Sequence, residues 1–417
     1  MTNEKKKDLV IVGGGAAGLF AALMAARKGL SVLVLEQKER TGKKILITGN
    51  GRCNLGNLSA SPESYPAPMR NFTAPALDAL PVNRLIRDFA SIGIPVKARG
   101  DYLYPRSDQA ISVADALALS AREAGAVIMT ETKVTRIERK YGRFQIFTSE
   151  KSFTAETVLI ACGSKAAPKT GSDGSGYQLL KELGIPVRKV LPALTPLVCD
   201  EPLAKVWAGV RTSCHVTIIS GDREMSDTGE IQLTDYGISG IPVFQVSRMA
   251  VQELAAGNKV QAVLNFLPEY EENELSAFVR EGMSGGRNRT IEQFLEGLLP
   301  KKVIRVLARR LDISEKEPVG RLGGKTVQSV LDLARCFRLA VTGYKDFAQA
   351  QVCQGGAALD AVYPDSLMAK KIPGLFLAGE ILDVDGPCGG FNLTWAWASG
   401  NLAALSAASY LEGRERK

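Results

Sequence analysis

The sequence predicts an α/β fold in which a doubly wound nucleotide-binding domain is interrupted by a large inserted region. Three observations predict it. The first stretch, to Glu36, reads as strand, glycine loop, helix, strand and terminal acid. A late apolar strand and a small-residue helix return near the C-terminus, and the middle of the chain switches to period-two alternation. A length of 417 residues favours more than one domain. With 45% hydrophobic and 23% charged residues, the composition is that of a globular chain able to bury a large core.

Asp8–Val12 is a short aliphatic run, the pattern of a buried parallel strand. It enters Gly13-Gly14-Gly15-Ala16-Ala17-Gly18, and a helix is expected from Ala16 to Lys28 with Gly29 as its stop. Gly13 permits the tight turn, Gly15 lets the backbone approach a pyrophosphate, and Gly18 lets helix and strand pack closely. The N–H groups at Ala16 and Ala17 and the positive helix end then face the phosphates. Ser31–Leu35 is a second buried strand ending in Glu36, whose carboxylate would accept both ribose hydroxyls of an adenosine. It would repel a 2′-phosphate, which disfavours NADP at this position. These residues together specify a dinucleotide site.

The later chain narrows the dinucleotide. Pro373–Glu380 is an apolar strand ending in Gly379-Glu380, and Val158–Gly163 is another, ending in Ala161-Cys162-Gly163. Gly386–Asn392, with Gly389, Gly390, Phe391 and Asn392, opens a helix expected to run to about Tyr410. Its Ala396, Ala398, Ser399 and Gly400 permit close backbone packing. These features resemble the glutathione-reductase-like flavoproteins, with Glu380 in place of the usual Asp and Cys162 in place of a Thr. The resemblance implies FAD, with the acid near the ribityl and phosphate region. The helix N-terminus would face the flavin pyrimidine, where its partial positive charge stabilises the reduced ring.

The segments Lys44–Asn54, Thr170–Gly176, Gly237–Gly240 and Gly379–Gly386 resemble, in order, the BaiN/YhiN-like flavoproteins, whose members include enzymes named aminoacetone oxidase and bile-acid-intermediate reductase. The resemblance implies a discontinuous FAD domain (1–190 and 348–417), a β-barrel-like insert (191–268 and 330–347) and a helical insert (269–329). It adds Lys44, Thr48, Gly49, Asn50, Gly51, Arg52, Cys53, Asn54 and Val134 to the expected cofactor contacts. The loop could instead be a tight connection, and Arg52 could instead meet an anionic substrate. Asp235 and Ile241 depart from the family pattern, where many members have His and Pro, which weakens any transfer of substrate.

The residues of the middle agree with that architecture. Val210, Thr212, Cys214, Val216 and Ile218 would share one strand face, and Arg211, Ser213, His215 and Thr217 the other. Gly221-Asp222 supplies a hairpin turn. Residues 269–329 read as short helices, with a Thr290/Gln293 capping box and Pro300 in a first turn. A strand around Arg338–Val341 leads back to the FAD domain.

Several function classes fall away. Seven scattered cysteines include no Cys-x-x-Cys pair, which fits a reducing cytoplasm, and one histidine, His215, cannot build a multi-histidine metal site. Cys53 lacks a neighbouring partner for a redox dithiol, and Cys388 reads as a small loop residue. His215 lies on the non-core face of its strand and reads as a surface residue, so no general acid or base is marked. Lys5, Lys6 and Lys7 precede an uncharged run to Ala26 without a cleavable leader pattern. That run and Gly386–Leu411 are rich in small residues, which suits burial rather than a membrane. The net charge is +8, from 52 basic and 44 acidic residues, and favours anionic ligands. Lys301, Lys302, Arg305, Arg309 and Arg310 are read as a solvated helix face in preference to an RNA patch.

The leading expectation is a flavin reductase with a small-molecule substrate. It would take hydride from NAD(P)H, bound transiently because no second glycine fingerprint is present, and pass it to a conjugated C=C of an enone-like, steroid or bile-acid-type compound. The alternatives are an oxidase of a small amine such as aminoacetone, using O2, and an RNA-modifying flavoprotein.

Overall fold

The computed structural model describes residues 6–415. Lys5 and the outermost residues of the expected FAD domain lie outside them. In chain order the elements are β1 (Lys7–Val12), α1 (Ala16–Arg27), β2 (Val32–Leu35), α2 (Lys43–Ile47), β3 (Gly56–Asn57), α3 (Arg70–Ala79) and α4 (Val82–Ser91). Next come β4 (Val96–Arg99), β5 (Tyr102–Pro105), α5 (Ala110–Glu123), β6 (Val127–Met129), β7 (Val134–Lys140), β8 (Arg143–Thr148), β9 (Ser152–Ile160), α6 (Ser175–Glu182) and β10 (Leu191–Ala193). The middle holds β11 (Leu197–Asp200), α7 (Ala204–Trp207), β12 (Arg211–Ser220), β13 (Arg223–Leu233), β14 (Gly237–Gly240), α8 (Ile241–Ala255) and β15 (Val260–Asn265). It continues through α9 (Glu272–Gly285), α10 (Ile291–Leu295), α11 (Lys301–Arg310), α12 (Val319–Arg335) and β16 (Phe337–Tyr344). The chain closes with β17 (Val352–Gln354), β18 (Leu375–Leu377) and α13 (Phe391–Glu415).

Two compact units result: one runs up to Leu191 and resumes at Gln351, and the other is Pro192–Ala350. In the first, β6, β2, β1 and β9 form a parallel sheet. The C-terminal half of β9 also pairs in parallel with β18, while its N-terminal half pairs antiparallel with β8, and β8 with β7. Leu9, Val10 and Ile11 of β1 are fully buried, as their unbroken aliphatic run requires when both sheet faces are covered. Helix α1 is buried from Ala17 to Ala26, which accounts for the absence of charge along it. A Cβ on Gly400 would lie 2.5 Å from the Ala17 carbonyl oxygen, so α13 crosses α1 in backbone contact. No helix of the described residues is long and apolar enough to cross a membrane.

The second unit contains a closed antiparallel barrel in the order β11-β14-β13-β12-β15-β16. Along β12, Cys214, Val216 and Ile218 are fully buried while their neighbours are not, so the period-two reading holds. The Gly221-Asp222 turn joins Ser220 to Arg223 across the hairpin. Helices α9–α12 lie in the chain between β15 and β16 and share the barrel's apolar cluster.

Several boundaries move. The strand expected over Val158–Gly163 ends at Ile160, because Ala161 and Cys162 pass directly over the Gly13 turn. The strand expected over Pro373–Glu380 shrinks to Leu375–Leu377, since Gly374 and Gly379 turn the chain with φ of 89° and 74°. Helix α13 runs to Glu415 rather than stopping near Tyr410. Helix α12 runs past residue 329 to Arg335 because its buried stripe continues through Val330, Leu331 and Ala334. Pro300 stands one position earlier than expected, as the residue preceding α11. Asp235 is exposed, and Ile241, also exposed, opens α8.

Candidate cofactor site

The glycine loop is built by exclusion. Gly13 has φ +103°, and a Cβ there would lie 2.7 Å from the Ala161 carbonyl oxygen and the Cys162 Cα. A Cβ on Gly18 would collide with the Gly13 carbonyl oxygen, whereas one on Gly15 would meet nothing within 4 Å. The turn and the helix–strand contact therefore need glycine for packing, and Gly15 leaves its approach open. Helix α1 has no side-chain cap and no acid in its first turn, so its N–H groups at Ala16 and Ala17 remain available to an anion.

Glu36 is 8% exposed, and its two carboxylate oxygens accept from the Gly14 and Lys38 N–H groups, each at 2.8 Å. Burial pushes its carboxyl above the ordinary range, and the backbone bonds from Lys38 and Gly14 oppose that shift. Each oxygen keeps a lone pair for a hydroxyl donor. The Thr132 N–H donates to the Glu36 carbonyl at 2.8 Å, and buried Val134 starts β7 just beyond.

The corner at Gly379 is wedged between two helices. Its N–H donates to Ser399 Oγ at 2.9 Å, and its carbonyl accepts from Trp395 Nε1 at 3.2 Å. A Cβ on Gly379 would lie 2.9 Å from the Ala17 Cβ. Glu380 accepts from Lys44 Nζ at 2.6 Å and Ser164 Oγ at 3.1 Å, so two predicted contacts far apart in sequence form one ion pair. Cys162 packs where a Cβ of Gly176 would stand, and burial pushes its thiol up to about 12. Gly163 turns beneath Ser172 with φ +75°.

The Thr48–Asn54 loop bends through left-handed backbone at Gly49, Asn50, Gly51 and Cys53, with φ of 56°, 54°, 80° and 60°. Thr48 Oγ1 donates to the Ile45 carbonyl at 2.7 Å and anchors its start. Gly49, Asn50, Gly51 and Arg52 are exposed, while Cys53 is fully buried, its thiol pushed up to about 12. That burial leaves Cys53 protonated and inert. With its amide turned to satisfy both ends, Asn54 donates to the Gly56 and Leu103 carbonyls and accepts from the Gly390 N–H at 3.2 Å.

Gly389 and Gly390, at φ 117° and 96°, bring the start of α13 down onto β3, where a Cβ on Gly390 would meet the Gly56 carbonyl. Asn392 accepts from the Gly386 N–H at 2.9 Å and donates to the Gly386 and Pro387 carbonyls at 2.9 and 3.1 Å. The Phe391 carbonyl accepts from Tyr65 at 2.9 Å. The structure thus links Glu36, Gly13–Gly18, Ala161–Gly163, Gly379–Glu380 with Lys44, and Gly389–Asn392 with Asn54 through consecutive contacts. Sequence reasoning missed Thr41 against Gly14, Ser164 on Glu380, and Asn57, which donates to the Gly389 carbonyl at 2.9 Å. None of the three stands in a recognisable motif; each is defined only by what the fold brings to it.

This arrangement fits an extended dinucleotide, and the comparisons agree. The model of the HI0933-like protein Rossmann domain matches residues 7–406. The chain belongs to the HI0933-like family. Its fold is the family's FAD-binding Rossmann type with a barrel insert. Within the family's reach, the chain is 41% identical over 402 residues to the 3-dehydro-bile acid delta(4,6)-reductase of Clostridium scindens, covering 95% of this chain and 98% of that one. It is 26% identical to the ribosomal RNA dihydrouridine synthase of Haemophilus influenzae, covering 95% and 97%. Among solved structures, 3-ketosteroid delta1-dehydrogenase from Sterolibacterium denitrificans aligns with a TM-score of 0.51 at 12% identity, over 97% of this chain and 100% of that one, a likeness of fold.

Proposed function

We propose that this protein is an FAD-dependent reductase of a C=C bond conjugated to a carbonyl, with NADH or NADPH as a transient donor. The observation that carries the reading is the 41% identity, across nearly the whole chain, to a reductase of a 3-dehydro-bile acid. The relatives named for dihydrouridine add support, because dihydrouridine is uridine with a C=C beside a carbonyl saturated. A steroid or bile-acid-type enone is therefore the favoured substrate.

In this reading the α1 N-terminus binds the pyrophosphate, Glu36 accepts the adenosine ribose hydroxyls, and the start of α13 faces the flavin pyrimidine. Bound FAD would supply the hydride-transfer chemistry. The protein's own part is to bind, orient and exclude water. Its one histidine, His215, meets Thr228 Oγ1 at 2.7 Å, and a tyrosine, a lysine or water is the proposed source of the substrate's proton. The cysteines stand as free thiols, which supports a reducing, cytoplasmic setting.

The RNA reading has less support. On α11, Arg305 pairs with Glu292 at 2.6 Å, Arg309 with Glu315 at 3.1 Å and Lys301 with Glu296 at 2.7 Å. Lys302 donates to the Ala208 carbonyl at 2.9 Å, so the basic run is answered within the protein. Anaerobic stopped-flow spectroscopy tests the proposal: NADH or NADPH should bleach the flavin, and a steroid 4,6-dien-3-one should restore it. Peroxide release driven by aminoacetone, with no bleaching by either nicotinamide, would move the assignment to the amine oxidase.

A further inference from the structure

Strands β3, β5 and β4 form a small antiparallel sheet, and one of its faces collects hydrogen-bond donors. The register sets Tyr104 opposite Lys97 and Tyr102 opposite both Arg99 and Asn57, so these side chains share a face. Leu103 and Pro105 take the other face and are buried. A Cβ on Gly389 would lie 2.7 Å from the Tyr102 ring, and one on Gly49 would lie 3.5 Å from the Tyr104 ring. The donor face therefore adjoins both the start of α13 and the left-handed loop that carries Arg52.

Charge on this face is unbalanced. Lys97 and Arg99 both bind Asp108, the latter at 2.6 Å, while the Arg99 guanidinium also sits 5.4 Å from the Tyr104 ring centroid. Arg52 adds a third cation, so three positive groups act on the one Asp108 carboxylate. Among the described residues no hydrogen bond falls on the Arg52 guanidinium or on the hydroxyls of Tyr102 and Tyr104, and the Arg52 charge acts on both Tyr104 and Asp108.

We infer that this face is the subsite for the anionic head of the substrate, a planar apolar acid. Arg52 and the Tyr104 hydroxyl donate to its carboxylate, and the Tyr102 ring beside Gly389 supports its apolar body. The inference rests on the reductase reading and names the charge its substrate carries.

The test uses FAD-loaded enzyme without an electron donor and titrates it with a 3-oxo-4,6-diene steroid carboxylic acid and with its methyl ester. Perturbation of the flavin absorbance gives each Kd. The ester is expected to bind about tenfold more weakly than the acid. Affinity for the acid falls as salt is raised. Arg52→Ala brings the acid to the ester's affinity with FAD content unchanged, and Arg52→Lys recovers part of the loss. Equal affinity for acid and ester overturns the subsite and leaves the reductase reading standing. Loss of FAD from Arg52→Ala overturns it by giving Arg52 to the cofactor. A defect of Arg52→Ala confined to NADPH binding overturns it by giving the cation to the nicotinamide donor. Binding of neither steroid form removes the reductase reading and the subsite with it.

Discussion

Two glycine loops lie in the same unit, and they use glycine for different reasons. In the loop Gly13–Gly18 the outer glycines are needed for lack of room: a side chain on Gly13 or Gly18 would enter backbone already in place. In the loop Thr48–Asn54 the chain is exposed from Gly49 to Arg52, and what it needs is a left-handed backbone. The first loop is fixed by packing and so is legible as a fingerprint. The second is shaped mainly by its left-handed backbone and leaves the Asn50 and Arg52 side chains exposed.

Substitutions in the two loops should therefore behave differently. The largest effect is expected from Gly18→Ala, whose Cβ collides with a carbonyl that cannot yield. It should lose about 3 kcal/mol in urea unfolding and purify without FAD. Asn392→Ala removes the partners of the Gly386 N–H and of two carbonyls at the head of α13. It should cost about 2 kcal/mol and lower the thermal midpoint. Gly49→Ala, with φ 56° and a Cβ that would lie 2.9 Å from the Asn54 backbone N, should cost about 1.5 kcal/mol while FAD is retained.

Glu36→Gln should weaken FAD binding about tenfold by flavin fluorescence titration. It also has a pH signature. Because burial raises the folded-state carboxyl, the folded apoprotein holds a proton that the unfolded chain has released. The group's contribution to stability therefore falls as pH rises from the ordinary carboxylate range through the folded-state value, and Glu36→Gln should flatten that slope. The smallest effect belongs to Arg305→Ala on the barrel unit, which should leave the unfolding midpoint and the FAD content within experimental error.

The contrast also explains what the sequence made legible. The run from β1 to Glu36 was readable because each residue type there answers a local demand: aliphatics for a strand covered on both faces, glycines for a turn, an acid at the strand end. The alternation along β12 was readable for the same reason. The Lys44–Glu380 pair was legible as two separate contacts but not as a pair, since only the fold joins α2 to the corner after β18. Tyr102, Tyr104 and Asn57 carried no signal, because their common face exists only through the register of three short strands. The strand ends were misplaced at Ile160 and Leu377, where the Gly13 backbone and the Ala17 methyl group pack against the turning chain.

The proposed reaction passes reducing equivalents from the flavin to a conjugated C=C. The most direct measurement mixes dithionite-reduced holoenzyme with a steroid 4,6-dien-3-one in the absence of oxygen. The oxidised flavin spectrum should return with loss of an equimolar amount of the dienone. A flavin that stays reduced, with the dienone unchanged, would contradict it.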